Sequence, residues 1–288
     1  MKTDNYQIGI EININHINAV LVFQQNKQWK INAFWQFPLP LNDNIDDINL
    51  RTILKRWQQS LPPINRIALA LPDTVASYHT IALSNLISLT PAAYYRLAQL
   101  RATSHQQVTK QAVQFDYRQH NQHLAIHLHN KTLIETYIAL FAKINLTITA
   151  IDIPACALRY VATHLNISPH SILIFCQNNQ MLWVCADKEM PHYGTLSYQD
   201  HQEQEKQLQQ LLIKHHWPQE QCYFSGDNAE YFRQQMPIWP TQKERLFMSI
   251  PPKKTLPLIA IGLALRPWET ACIKPYIDIK HNGGFIGA

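Results

Sequence analysis

Apolar and polar positions divide this chain into two halves that open alike. Residues 8–23, IGIEININHINAVLVF, run as an apolar strand carrying one acid, a short polar turn and a second apolar strand. The alternation predicts strands over 7–14 and 19–25, and a third over 28–37, where Trp29, Ile31, Ala33 and Trp35 alternate with polar neighbours. A helix follows over 48–60, with Ile48, Ile53, Leu54 and Trp57 on one face. RIALAL, residues 66–71, is a short buried strand stopped by Pro72. The opening theme then returns at residues 171–187, SILIFCQNNQMLWVCAD, with a third strand near 192–197. A Gln/Glu-rich helix over 199–216 carries Leu208, Leu211 and Leu212, a short strand spans 221–224, and a helix over 257–265 closes the core. Two halves that each begin with a three-strand meander predict an internally duplicated α/β fold.

The segment between the halves has another texture. It reads as a strand over 76–83, a helix opening at Pro91 behind an N-capping Thr90, paired strands over 113–117 and 123–129, a helix over 132–143 and a strand over 146–152. Residues 75–150 are therefore expected to form a small α+β subdomain, followed by a helix over 154–165. Within it, His123, His127 and His129 share one strand face, and Leu124, Ile126 and Leu128 take the other. Two histidines at i, i+2 have metal-chelating spacing. A solvated strand face explains them as well, and no metal is expected.

Composition removes several classes of function. The chain has 288 residues, 46% of them hydrophobic, enough for one large domain or two modest ones. Seven glycines are few for a protein that grips phosphates, because the backbone must approach the anion closely. The net charge of +5 is spread along the chain without a Lys/Arg block, so no direct contact with nucleic acid is expected. Cys156, Cys176, Cys185, Cys222 and Cys272 have no C-x-x-C spacing and read as free thiols in a reducing cytosol. No apolar signal segment follows Lys2, and the apolar stretch 256–265 is too short to cross a bilayer. The expected location is the cytoplasm, with any membrane reached only through a partner. No G-x-S-x-G, H-E-x-x-H or P-loop pattern is present.

Five stretches, in order, resemble the actin-like ATPases of the PilM family, with its HofM and ComA relatives. IGIEININHINAVLV resembles the first phosphate hairpin, close to IGIDIGSSSVKVV in the family. FDY (115–117) resembles a "Dy" element, and IDIPACALRYVA (151–162) the strand–helix junction "vd-x-P-x-ALxRA". CYFSGDNAE (222–230) falls at the adenosine-side "SGGGA" turn, and IAIGLALR (259–266) resembles the C-terminal GLALR helix. The resemblance implies an actin-like fold of the FtsA/PilM kind. The first lobe would comprise 1–74 and 151–168, the inserted subdomain 75–150, and a reduced second lobe 169–266, leaving a tail at 267–288. It also implies a protein of type IV pilus assembly or of a competence pilus for DNA uptake. Its partner would be the cytoplasmic N-terminal peptide of a PilN-like inner-membrane protein. That peptide would lie between the first lobe and the inserted subdomain, where Tyr94, Tyr95 and Phe115 are apolar candidates.

The departures from the family pattern bear on chemistry. The family's Asp falls at Glu11, its glycine at Asn13, its serines at Ile14, Asn15 and His16, and its lysine at Asn18. In the second hairpin its Asp falls at Ile174 and its Gly at Cys176, and the hydroxyl positions become Asn178, Asn179 and Gln180. Ser225 and Gly226 keep the adenosine turn, but Asp227 puts a negative charge beside the expected base pocket. A polyphosphate needs several free N–H donors and a cation. The expected site is therefore vestigial, with no catalytic residue, no bound metal and no cofactor. Two alternatives stay open: an active ATPase that grips Mg-ATP through Glu11 and the asparagines, and an interaction module unrelated to pili. Asp152 reads as a strand–helix turn residue, and the tail as a flexible end, a strand docking on its own body or a partner contact.

Overall fold

The computed structural model describes residues 6–39, 48–71, 76–83, 90–110, 112–120, 122–185, 192–240, 256–268 and 277–278. Its first half opens with β1 (Tyr6–Ile12), β2 (His16–Gln25), β3 (Gln28–Pro38), α1 (Ile48–Gln59) and β4 (Ile67–Ala70). The middle segment holds β5 (Ala76–Ala82), α2 (Pro91–Thr109), β6 (Val113–His120), β7 (His123–Asn130) and α3 (Lys131–Ala142), before β8 (Ala150–Asp152) and α4 (Pro154–His164). The second half holds β9 (Ile172–Gln177), β10 (Gln180–Cys185), β11 (His192–Ser197), α5 (His201–His215), β12 (Cys222–Gly226), α6 (Ala229–Phe232) and α7 (Leu258–Ala264). A two-residue strand, β13 (Ile277–Asp278), comes from the tail.

These strands form three sheets, ordered β13-β8-β4-β1-β2-β3, β11-β10-β9-β12 and β5-β7-β6. In the first, β1, β4 and β8 run parallel, while β2 and β3 return antiparallel. The second repeats the logic, with β9 and β12 parallel and β10 and β11 antiparallel. Both meanders use positive-φ residues at a tight turn: Asn26 and Lys27 between β2 and β3, Asn178 and Asn179 between β9 and β10. Two consecutive left-handed residues suit the right-handed twist of a two-residue hairpin, and asparagine tolerates that conformation. The β1–β2 turn contains no positive-φ residue, so it needs no glycine.

The first sheet is covered on both sides. On one side Trp35 and Phe37 meet Trp57 of α1, with ring centroids 5.7 and 5.3 Å apart. On the other, α7 presses onto β1 so closely that a Cβ on Gly9 would stand 2.0 Å from the Ala260 carbonyl oxygen. A Cβ on Gly262 would likewise meet the Ala157 carbonyl of α4 at 2.0 Å. Glycine is required at both contacts by space rather than by φ.

Several expectations are corrected. β3 carries a bulge, because Leu21 pairs with Ala33 and Val22 with Ile31. The stripe Trp29, Ile31, Ala33, Trp35 is thus split between two faces. α2 runs from Pro91 to Thr109, ending where Lys110 turns left-handed, and Thr90 caps it by accepting from the Ala93 N–H. β8 starts at Ala150 rather than 146. The buried residues of α3 join the first sheet's core, whereas Ala98, Ala102, Leu124, Ile126 and Leu128 form a separate cluster under α2. The histidine face is not solvated at His127 and His129, which are 3% and 4% exposed, whereas His123 at the start of β7 is exposed. The Leu face of β7 is covered by α2, and the His face turns toward the second half, where His127 Nδ1 lies 3.1 Å from the Tyr193 hydroxyl of β11. Both faces of a thin sheet are buried, which alternation alone does not reveal. Of the tail, Ile277 and Asp278 pair antiparallel with Ile151 and Ala150 of β8. Residues 269–276 and 279–288 of the tail lie outside the described residues.

Candidate functional site

Strand register builds one polar row across the first sheet. Gln36 of β3 pairs with Asn18 of β2, Asn18 with Glu11 of β1, Glu11 with Ala70 of β4, and Ala70 with Asp152 of β8. Glu11, Ala70 and Asp152 stand at or next to the carboxyl ends of the three parallel strands. In open α/β sheets this is where ligands bind. The row is hydrogen-bonded internally: Gln36 Nε2 donates to Asn18 Oδ1 at 3.2 Å, and Asn18 Nδ2 donates to Glu11 Oε2 at 2.9 Å. At its far end Asp152 accepts from the Tyr160 hydroxyl at 2.7 Å and from Arg266 Nε at 3.3 Å. Asp152 and Arg266 are both nearly inaccessible, and their ion pair joins the IDIP junction to the end of the GLALR helix.

Glu11 is 6% exposed. Burial pushes its carboxyl up to about 7, and the Asn18 hydrogen bond offsets part of that rise. His16, half-buried at the start of β2, is shifted down by burial.

Glu11 is the member of this row that lines a cleft between the first and second sheets, with a cavity of ≈ 60 Å³. Glu11, Asn13, Ile14, Leu71, Pro154 and Ile259 line it from one side, and Phe175, Gln177, Asn178, Gln180, Leu182 and Thr195 from the other. No Lys, Arg or His is among the lining residues. The two hairpin turns touch across its mouth, where Asn178 Nδ2 donates to Asn13 Oδ1 at 2.8 Å. Three of their backbone N–H donors are engaged from within the chain. The Ile14 N–H meets Asn13 Oδ1 at 2.7 Å, the Asn13 N–H meets the His16 carbonyl at 2.9 Å, and the Asn178 N–H meets Asp227 Oδ2 at 3.1 Å. Asp227 reaches this position because Gly226 takes φ +88 and the Asp227 N–H donates to the Cys176 carbonyl at 2.7 Å.

Glu11, Asn13 and Asn178 thus meet in one cleft, with Asn18 behind Glu11 and Asp227 behind Asn178. Asn15, His16 and Asn179 lie on the turns outside the lining, and Ser225 is buried, its hydroxyl donating to the Ile174 carbonyl at 3.2 Å. Asp227 was expected beside a base pocket; it is instead bonded to the tip of the second hairpin. Gln36, Gln177 and Thr195 were missed in the sequence, where each is one more polar residue on an alternating strand. Asp152 was read as a turn residue; its side chain does cap the Ile153 N–H at 3.0 Å, but it also carries the buried ion pair. Tyr94, Tyr95 and Phe115 lie on the α2 side of the third sheet, with Tyr95 and Phe115 rings 5.6 Å apart, and do not face the first half. Among the described residues no group of three His, Cys, Asp or Glu side chains is placed to hold a metal ion. Among them, too, no helix is long and apolar enough to cross a membrane.

No family model and no curated protein matches the sequence. Solved structures do match. The chain is similar to a PilM–PilN type IV pilus biogenesis complex at TM-score 0.61 and 12% identity, over 90% of this chain and 97% of that one. It is similar to a Bacteroides thetaiotaomicron protein with an actin-like ATPase fold and unknown function at TM-score 0.52 and 12% identity, over 83% and 92%. It is also similar to the cytoplasmic domain of EpsL, an inner-membrane component of the Vibrio cholerae type II secretion system, at TM-score 0.50 and 9% identity, over 83% and 87%. The chain has the actin-like ATPase fold.

Proposed function

We propose that this protein is a non-enzymatic scaffold of a type IV pilus or competence pilus, and that its nucleotide cleft is vestigial. It binds the short cytoplasmic segment of a PilN-like inner-membrane protein and reaches the membrane through that partner. The observation that carries the reading is the cleft itself. The two hairpins that hold phosphates in an actin-like ATPase are bonded to each other through Asn13 and Asn178. A carboxylate, Asp227, occupies the Asn178 N–H that an anion would need. Phosphate recognition requires free N–H donors and a compensating cation, and no Lys, Arg or His lines the cleft. The residues present do not fit a nucleoside triphosphate and Mg²⁺. The likeness to a PilM–PilN complex across nearly the whole chain supports the choice of partner.

The peptide site lies between the first sheet and the inserted β5-β7-β6 sheet, where an extended segment gains backbone hydrogen bonds by strand addition and specificity from side-chain pockets. Fluorescence anisotropy with a labelled peptide from the N-terminus of a PilN-like protein tests this reading. Saturable binding, unchanged by Mg-ATP, is expected. An absence of binding at high micromolar protein would overturn the choice of partner.

A further inference from the structure

The cleft pairs a deeply buried carboxylate with a mouth held by weak contacts. Glu11 accepts a hydrogen bond from a neutral amide, Asn18, and among the described residues no Lys, Arg or His lines the cavity with it. β2 presents Asn18, β4 presents Ala70 and Leu71, α4 presents Pro154 and α7 presents Ile259. From the second half, β9 presents Phe175 and Gln177, β10 presents Gln180 and Leu182, and β11 presents Thr195, with Asn178 on the turn. The titratable groups nearest in the fold are Asp227, bonded to Asn178; Asp152, paired with Arg266 and Tyr160; and His16, at the end of the first turn. None of these lines the cavity.

An ionised carboxylate enclosed this way loses its hydration and gains no counter-charge, which is among the least favourable arrangements a fold can contain. It has two remedies: take up a proton, or open to water. The mouth allows opening. The contact across it is an exposed hydrogen bond between two neutral amides, Asn13 and Asn178, and such bonds contribute little net stability. Further along the same seam, α4 is tied to β10 by Arg159 Nη2 donating to the Val184 carbonyl at 2.7 Å. The third sheet is tied to β11 through His127 and Tyr193. Behind the mouth, Phe175 and Leu182 are buried in one apolar cluster with the first sheet, and this packing can act as the pivot.

We propose that closure of this cleft is coupled to the uptake of one proton by Glu11, the closed form holding the neutral acid and the open form the hydrated carboxylate. The desolvation-driven rise of the Glu11 carboxyl to about 7 puts the transition near neutral pH. This inference rests on the cleft alone and stands whichever partner the protein serves.

Hydrogen exchange read by mass spectrometry tests it in the full chain at pH 6 and pH 8, after correction for intrinsic rates. The reporters are the turn peptides spanning 13–16 and 177–180, with β9 and β10 as internal references. In the wild type, protection of both turns falls as pH rises toward about 7, by up to roughly tenfold per unit, and levels off above that value, while the references hold steady. Glu11→Gln, which keeps an acceptor for Asn18 and removes the charge, keeps both turns protected at pH 8. Equal protection of the wild-type turns at both pH values would overturn the coupling. So would a Glu11→Gln variant that follows the wild-type pH dependence. The wild-type result decides the matter even where the variant folds poorly.

Discussion

The floor of the cleft and its mouth are built from the same kinds of residue, carboxylates and amides, but they are held in opposite ways. The floor is Glu11, held in a row set by strand register that is buried from Asn18 to Asp152 and anchored at its far end by the Asp152–Arg266 pair. The mouth is a chain of exposed contacts, Asp227 to Asn178 to Asn13. Register fixes the first row through the whole sheet, so each member is overdetermined. The second depends on two turns meeting. The floor therefore belongs to the fold, and the mouth can change without disturbing it.

The strongest way to break the contrast is to attack the anchor of the floor. Arg266→Ala leaves Asp152 buried without its cation and is expected to destabilise the protein by about 3–5 kcal/mol, read by urea unfolding. A loss under about 1 kcal/mol would mean that the row is no better fixed than the mouth. Next is Glu11. Its folded-state pKa is raised, so the stability it contributes is fully present below its unfolded value and is lost as pH rises through about 7. Glu11→Gln should remove that alkaline loss and leave the variant more stable than wild type at pH 8, by about 3 kcal/mol at most. Denaturant midpoints at pH 5 and pH 8 check the sign. His129 gives the opposite slope: burial depresses its pKa to about 3, so its contribution is lost as pH falls from 6.5 toward that value. The smallest effects belong to the mouth. Asp227→Ala and Asn178→Ala should each change stability by less than about 1 kcal/mol, because both contacts are exposed. A loss of several kcal/mol from either would make the mouth part of the fold.

The same contrast explains how much of the molecule was legible in the sequence. The meanders, the Leu208, Leu211 and Leu212 face of α5 and the N-cap at Thr90 follow from local pattern and are found where that pattern puts them; on α1 only Leu54 and Trp57 of the expected face are buried, together with Leu50, while Ile48 and Ile53 are exposed. Glu11 and Asn18 could be singled out because they interrupt apolar strands. Gln36 and Asp152 could not be joined to them, since that needs the order of five strands and a register moved by the bulge in β3. The His127 and His129 face was misjudged for a related reason. Alternation tells two faces apart, but only tertiary structure says that β11 covers the polar one. Asp227 was read by its charge; its position follows from the left-handed Gly226, which turns its carboxylate onto Asn178.

Thermal unfolding of the full chain with and without millimolar Mg-ATP tests the central claim most directly. A ligand that binds only the folded state must stabilise it, by about 2.7 kcal/mol at a hundredfold excess over Kd. The account predicts the same midpoint in both conditions. A Mg²⁺-dependent rise that Glu11→Gln abolishes would contradict it and make this cleft a working nucleotide site.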